Sequence, residues 1–139
     1  MSEAVRFSEA AALGMHAMAL LADRPGRWVS LREIAEALSV SENHLAKVLQ
    51  RLVRRGLLTS TRGPRGGFRL AVDGGEVTLL DVYEAIEGPY RVRGCMFAHP
   101  RCEGDCIVGG LIGSVNRQVK ETLASASLSD LPTVFGRRR

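Results

Sequence analysis

The sequence has 139 residues and a formal net charge of +4 at neutral pH, which suits one domain with a buried core that needs no covalent staples. Its longest apolar run, residues 10–22, contains His16 and shows neither a charged leader nor a small-residue cleavage site, so we expect neither a membrane span nor a signal peptide. These features favour a cytoplasmic protein in a reducing compartment, where an odd number of cysteines argues against a disulfide framework.

Positive charge is concentrated in the middle of the chain. Residues 43–72 contain no carboxylate, and they carry the basic residues Lys47, Arg51, Arg54, Arg55, Arg62, Arg65 and Arg69. A local excess of this kind creates a positive field that attracts polyanions. Charge alone leaves nucleic-acid binding and a merely solvated basic face as equal alternatives.

The first predicted element is a helix from Phe7 to about Leu21, whose Ala, Leu and Met residues make it apolar on most sides. Such a helix packs against several neighbours, and a histidine on it, His16, is more often a core residue than a ligand. A Pro-Gly pair ends the helix. Trp28 and Val29 then predict a short extended segment at a sheet edge, with Trp28 in the core.

Two helix starts follow in quick succession. Ser30 and Glu33 have the spacing of a capping box, in which each side chain accepts a hydrogen bond from the other residue's backbone amide, and Ser41 is placed to cap a second helix. Two short helices joined by a turn of three or four residues predict a helix-turn-helix. The second helix buries Leu45, Val48, Leu49 and Leu52 and turns Asn43, His44, Lys47 and Arg51 outward.

A β-hairpin is predicted after this helix, which ends at Gly56. Residues 57–61 and 68–72 are β-prone and flank Arg62-Gly-Pro-Arg-Gly-Gly67, whose glycines permit the positive φ angles of a hairpin tip. Such a tip is the wing of a winged helix, where arginines bind phosphates or enter the minor groove. The alternative, a nucleotide-binding phosphate loop, is disfavoured because no Gly-Lys-Ser/Thr sequence ends the loop.

Another capping-box pattern predicts a helix over residues 78–87. After an intervening loop, apolar residues at helical spacing predict a last helix that runs to about Ala124. Nothing in the remaining sequence fully covers the apolar stripe of this helix, so we expect it to pack against its symmetry mate in a two-fold dimer. Gly109 and Gly113, one turn apart, would permit close approach of the two helices.

The loop before the last helix holds all three cysteines of the chain, Cys95, Cys102 and Cys106. Thiolates grouped this closely favour an iron–sulfur or metal site over isolated thiols. Zinc is the alternative metal, since His99 would complete a tetrahedral set of three cysteines and one histidine. Without a Walker motif or a nucleophile elbow, and with carboxylates spread singly, nothing points to an enzyme active site. A cysteine-based redox carrier is a further alternative.

Several blocks, taken in order, resemble the Rrf-type winged-helix regulators, the family of the iron–sulfur regulator IscR and the nitric-oxide sensor NsrR. The resemblance covers residues from about 6 to 131. The blocks are Phe7-Ser8, Leu31-Arg-Glu-Ile-Ala35, Leu45-Ala-Lys-Val-Leu49, Gly56-Leu-Leu58, Arg62-Gly-Pro-Arg-Gly-Gly-Phe68 and Thr78-Leu-Leu-Asp-Val82. The wing block followed by three cysteines is the most specific part of the match.

The resemblance implies a homodimeric transcription factor of the repressor type whose cysteines hold an iron–sulfur cluster, with a two-iron cluster favoured and a four-iron cluster as the alternative. It also implies a fourth ligand that varies among members. IscR-like proteins use a histidine three residues after the last cysteine, but Gly109 occupies that position here. Some relatives take a residue from the first helix of the other subunit, which selects His16 here, with His99 and Glu9 as the next choices.

DNA contacts are predicted on both the second helix and the wing. Hydroxyl, amide and ammonium groups suit base edges or phosphates, which selects Ser41, Asn43, His44 and Lys47. The resemblance implies that Arg62 enters the minor groove. Phosphate contacts that set the register are assigned to Arg51, Arg54, Arg55 and Arg65.

The sequence thus predicts a mostly helical protein with a small β wing. Its predicted parts are a winged helix-turn-helix domain (residues 1–88), a cluster-binding cysteine loop (89–106), a dimerisation helix with a C-terminal turn (107–131) and a basic tail (132–139). The predicted function is a homodimeric regulator whose affinity for double-stranded operator DNA depends on the cluster, through redox state, nitric oxide or cluster supply. A zinc-stapled DNA-binding protein without redox sensing is the alternative.

Overall fold

The computed structural model describes residues 5–97, 99, 101–103 and 106–131. Within these residues the chain forms five α-helices, a two-stranded antiparallel sheet and one 3-10 turn. In chain order they are α1 (Glu9–Ala22), α2 (Leu31–Leu38), α3 (Glu42–Arg54), β1 (Leu58–Thr61), β2 (Gly67–Leu70), α4 (Leu79–Glu87), α5 (Ile107–Ser125) and the turn Leu128–Asp130. The predicted class, mostly helical with a small β wing, is confirmed, while the predicted basic tail lies outside the described residues.

Local capping accounts for where the helices begin. The Ser30 hydroxyl accepts a hydrogen bond from the Glu33 amide at 3.1 Å, and the Glu33 carboxylate accepts one from the Ser30 amide at 3.4 Å, as the capping box predicts. Ser41 caps α3 by accepting from the His44 amide at 3.1 Å. The first helix starts later than predicted because Ser8 is its cap rather than part of it.

The core is centred on α1, which packs against α2, α3, α4 and β2. Met18, Leu20 and Leu21 of α1 are fully buried, together with Leu45, Leu49 and Leu52 of α3. Gly14 lies where α1 meets α4, and a Cβ there would overlap the end of the Ile86 side chain. This close approach holds α4, the helix that leads into the cysteine loop, directly on α1.

The wing is a short hairpin attached to the core through Val29. Its strands pair from Leu58 opposite Leu70 to Thr61 opposite Gly67, so both are shorter than predicted. Val29 bridges Phe68 through two backbone hydrogen bonds of 2.9 and 2.8 Å. Gly67 has a φ of 150°, and a Cβ there would overlap the Val29 carbonyl, so only glycine fits at this position.

Trp28 is not in the core, contrary to the prediction. Val29 is fully buried, and Trp28 is half-buried on the opposite side of the extended segment. The Arg69 guanidinium lies 4.2 Å from the centre of the Trp28 ring, a cation–π distance. The Trp28 indole therefore packs against β2 of the wing through Arg69.

The C-terminal turn returns to the core of the first four helices. The Leu79 amide donates to Ala126 O and the Leu128 amide donates to Val77 O, both at 2.9 Å. Leu128 is buried in the same core as α1, so the C-terminal end of α5 is fixed to the winged helix, whereas its N-terminal end carries the cysteine loop. Among the described helices, none combines the length and apolarity needed to cross a bilayer.

Candidate DNA-binding face and cysteine loop

The exposed side of α3 forms one polar stripe. A three-residue turn containing Ser39, whose φ of 56° is left-handed, separates α2 from α3. Because Leu45, Val48, Leu49 and Leu52 are buried, the opposite side is open to solvent. It presents Asn43, Lys47, Gln50 and Arg54 at successive turns of the helix.

Gln50 belongs to this stripe and is absent from the predicted contacts. Its exposure follows from its spacing, since it lies three residues after Lys47 and seven after Asn43 on the same helix. A glutamine amide can pair with adenine in the major groove through two hydrogen bonds. Helical spacing from Asn43 would have been sufficient to find it.

Two of the predicted DNA-contact residues, Ser41 and His44, make contacts within the protein at the start of α3. The Ser41 hydroxyl accepts the His44 amide as a helix cap. His44 is half-buried, with Nδ1 3.7 Å from Glu9 Oε1 of α1. Ser41 therefore fixes the start of α3, and His44 helps to hold α3 on α1.

Arg51 is exposed, yet its guanidinium is engaged within the protein. Its Nη1 donates to the carbonyl oxygen of Ile86, at the end of α4, at 3.3 Å. Sequence spacing predicted the outward direction of Arg51 but not this contact, which depends on where α4 packs. The hydrogen bond links α3 to α4, the helix that leads into the cysteine loop.

The wing tip carries two exposed arginines, Arg62 and Arg65. No carboxylate of the described residues lies within ion-pair distance of either. Trp28 and residues 61–66 line a shallow groove at this tip. Two uncompensated guanidinium groups on a glycine-rich hairpin suit contacts with phosphates or with a narrow minor groove.

The three cysteines lie between α4 and α5. All are free thiols, with Cys95 half-buried and Cys102 and Cys106 exposed. Cys106 is the N-cap of α5, where its sulfur accepts a hydrogen bond from the Gly109 amide at 3.3 Å. Cys95 Sγ accepts from the Phe97 amide at 3.4 Å. Among the described residues of one protomer, no three histidine, cysteine or acidic side chains come together at metal-binding distance.

Comparison with known proteins decides the family. Residues 7–133 match the model of the Rrf2 family, described as iron-dependent transcriptional regulators. The chain belongs to the Rrf2 family. This family comprises DNA-binding transcriptional regulators rather than enzymes, which confirms the predicted class of function.

Individual relatives agree with this assignment. The Rrf2 chain is 33% identical over 94 residues to the transcriptional regulator NsrR of Bacillus subtilis, an alignment that covers 68% of this chain and 62% of that protein. Its fold matches CymR, the global cysteine regulator of B. subtilis, with a TM-score of 0.77, 28% identity and coverage of 91% and 95% of the two chains. It also matches T. potens IscR with a TM-score of 0.73, 28% identity and coverage of 91% and 85%.

The cysteine sulfurs of this Rrf2 regulator fit an iron–sulfur cluster by their chemistry. Three free thiols would supply three of the four protein ligands that such a cluster takes, and amide hydrogen bonds to ligand sulfurs are a common means of tuning it. The same sulfurs also suit zinc. The donor set within one protomer is thus appropriate but leaves room for a fourth ligand.

His16, which the resemblance selected as the fourth ligand, is exposed on α1, so the alternative of a core histidine is wrong. Its Nδ1 lies 2.6 Å from the Ala12 carbonyl oxygen, one turn earlier. The reason is that α1 has a solvent side, on which Glu9 and His16 are exposed and Ala12 is half-buried. An exposed imidazole is in a suitable position to meet a group from outside the protomer.

The N-terminal part of α5 presents an apolar surface. Ile107 is 93% exposed and Leu111 is 64% exposed, and Val108 between them is also exposed. In contrast, Leu123 near the other end of α5 is buried. We call the three residues 107, 108 and 111 the apolar end of α5.

Proposed function

We propose that this Rrf2 regulator is a homodimer whose affinity for operator DNA depends on an iron–sulfur cluster bound by Cys95, Cys102 and Cys106. The observation that carries the proposal is the position of these free thiols on the segment that joins α4 to α5. A metal group held there lies between the winged helix and the apolar end of α5. Binding or loss of the metal group therefore changes the segment that connects the winged helix to the proposed dimer contact.

DNA is bound by α3 and the wing together. The exposed stripe of α3 enters the major groove, where Asn43 and Gln50 read base edges and Lys47 contacts a phosphate or a base. Arg62 and Arg65 extend from the wing into the adjacent minor groove or along its phosphates. Ser41, His44 and Arg51 support this surface through the contacts that hold α3 in place.

The partner at the apolar end of α5 is a second copy of the chain. Large apolar side chains grouped on a surface mark an interaction site, and the described part of the chain leaves Ile107 and Leu111 mostly exposed. Two-fold pairing of this end places two winged helices for the half-sites of a palindromic operator. The exposed imidazole of His16 is the proposed fourth ligand, supplied by the other subunit's α1.

Binding of a metal group by the cysteines affects α3 through its contact with α4. Ligation of the sulfurs would add bonds to the segment after Glu87, beyond the hydrogen bonds that position it without a metal group, and would restrain α4 further. Arg51 joins α3 to the end of α4, so a shift of that end moves the reading surface. A bound cluster supplies a centre that reacts with oxidants and nitric oxide. The change in the free energy of operator binding can be no larger than the difference in DNA-binding free energy between the two conformations.

The first experiment is purification without oxygen, followed by visible absorption and iron, sulfide and zinc analysis. We expect a coloured protein that contains iron and sulfide. The matched control is the variant with Cys95→Ser, Cys102→Ser and Cys106→Ser, which should be colourless. A colourless wild-type protein that contains zinc would contradict the cluster and favour a structural zinc site.

A further inference from the structure

The segment between α4 and Cys95 is held on both helices by a chain of hydrogen bonds. The Tyr90 amide donates to Glu84 Oε2 at 2.7 Å. The Tyr90 hydroxyl donates to Asn116 Oδ1 of α5 at 3.2 Å. Asn116 Nδ2 in turn donates to the Arg93 carbonyl oxygen at 3.0 Å. Asn116 therefore holds the Tyr90 side chain with its amide oxygen, and with its amide nitrogen it holds the backbone two residues before Cys95.

At Gly94, the residue after Arg93, the backbone lies directly against Gly109 in the first turn of α5. A Cβ on Gly109 would overlap the Gly94 carbonyl oxygen and would lie 3.3 Å from Cys106 Cβ. A Cβ on Gly94 would lie 3.2 Å from the Gly109 carbonyl oxygen. The sequence predicted that Gly109 and Gly113 permit close approach between two α5 helices, but here Gly109 serves a contact within the chain.

This contact brings together the chain around two of the cysteines. The space beside Gly109 is bounded on one side by the carbonyl that immediately precedes Cys95 and on the other by Cys106 itself. The Gly109 amide also donates to Cys106 Sγ at 3.3 Å. A side chain at position 109 is excluded, so this position supplies no ligand and instead sets the spacing of its neighbours.

We infer that Asn116 and Gly109 are positioning residues that hold Cys95 beside Cys106 before any metal group binds. The inference rests on the proposed use of these cysteines as ligands and adds the residues that arrange them. Ligands held in advance lose less conformational freedom on binding. Groups behind the ligands typically change metal affinity by about 10- to 100-fold when they are removed.

The test uses the reduced, metal-free full chain with Cys102→Ser, so that Cys95 and Cys106 are its remaining thiols. The probe is phenylarsine oxide, which binds two neighbouring thiols: two S–H bonds break, two As–S bonds form, and the arsenic-bound oxygen leaves as water with both protons. The measured quantity is arsenical affinity, compared with the rate at which each thiol is alkylated singly by iodoacetamide. A change in arsenical affinity without a change in alkylation rate reports the spacing of the two thiols. Unfolding, or greater exposure of one thiol, would change both quantities.

Two substitutions are compared with matched controls. Gly109→Ala introduces the overlap with Gly94, whereas Gly110→Ala adds a Cβ that meets nothing within 4 Å. Asn116→Ala removes the link to Arg93 without adding atoms, and Gln118→Ala removes an exposed amide from the same helix. We expect Gly109→Ala and Asn116→Ala to weaken arsenical binding by about tenfold, with both controls close to the parent protein and alkylation rates unchanged.

Equal arsenical affinity in the test and control variants would overturn the inference, as would an equal loss in all four. If Gly109→Ala does not fold, the comparison of Asn116→Ala with Gln118→Ala decides it. Because no DNA or cluster takes part, this result is independent of the switch. A wild-type protein that fails to respond to nitric oxide would defeat the proposed function and leave the thiol spacing unaffected.

Discussion

Tyr83 of α4 packs against Tyr90 of the following segment with its ring tilted by 59° and the ring centroids 5.2 Å apart. Phe7 also meets Tyr83 edge-on, with ring centroids 6.2 Å apart, and the neighbouring Ser8 hydroxyl donates to Glu87 Oε1. These contacts join the beginning of α1 to α4 and to the chain that leads to Cys95. The aromatic cluster is thus the part of the fold where the winged helix and the cysteine loop meet.

The two tyrosines make stability depend on pH at alkaline values. Burial raises the pKa of Tyr83 above its ordinary value of 10.0, and the charges of Glu87 and Glu84 raise it further. Burial also raises the pKa of Tyr90, with a smaller contribution from Tyr83. Since the unfolded chain loses these protons first, this contribution to stability is complete below pH 10 and is lost as the pH rises through the raised pKa values.

We therefore expect the free energy of unfolding, measured with urea, to fall above pH 10.0. Tyr83→Phe keeps the ring and removes the titrating hydroxyl, so the variant should lose less stability over the same pH range. Identical pH profiles for the two proteins would show that the Tyr83 environment does not contribute.

Lys47 and Gln50 are expected to differ in what they contribute to DNA binding. Lys47→Ala should weaken binding to operator and random DNA alike and reduce the salt slope of the binding constant by about 1. Gln50→Ala should cost about 1 to 3 kcal/mol of discrimination at one base pair, with the salt slope unchanged. Binding titrations over a range of salt concentrations measure both quantities. The assignment is wrong if the two variants behave alike.

Arg62→Ala should weaken operator binding by about 1 to 3 kcal/mol and relax the sequence preference next to the wing. The physical reason is loss of a guanidinium from a narrow groove whose width depends on sequence. Arg65→Ala is the matched variant on the same tip and should reduce affinity uniformly. An equal loss for Arg62→Ala on operator and random DNA would contradict its role in specificity.

Leu111→Glu should weaken the proposed dimer. A carboxylate placed on the apolar end of α5 would have to be desolvated on association, and we expect the dissociation constant to rise by about tenfold or more, or 1.4 kcal/mol. Ala124→Glu adds the same charge to an exposed position near the other end of α5. Sedimentation equilibrium compares the two. A Leu111→Glu protein that remains as dimeric as the control would place the subunit contact elsewhere.

The sequence was sufficient for features that depend on neighbouring residues. Ser30, Ser41 and the glycines of the wing act through contacts within a few positions, so the helix starts and the hairpin could be predicted. The surroundings of Trp28 and Gly109 could not be predicted, because they come from distant parts of the chain. Trp28 meets Arg69 across the wing, and Gly109 meets Gly94 across the cysteine loop.

The candidate site divides in the same way. Helical spacing separated the buried and exposed sides of α3, so Asn43 and Lys47 were predicted on its open side. It could not show that Arg51 also reaches α4 or that His44 faces Glu9. The cysteines were evident from their spacing, whereas the hydrogen bonds of Asn116 that fix the approach to Cys95 depend on how α5 packs.

Operator affinity before and after nitric oxide, measured on protein purified without oxygen, tests the central claim most directly. We predict a change of about 5- to 150-fold, the usual range of allosteric coupling. The variant with Cys95→Ser, Cys102→Ser and Cys106→Ser should bind with one affinity that nitric oxide does not alter. A wild-type protein with the same affinity in both conditions would contradict the account.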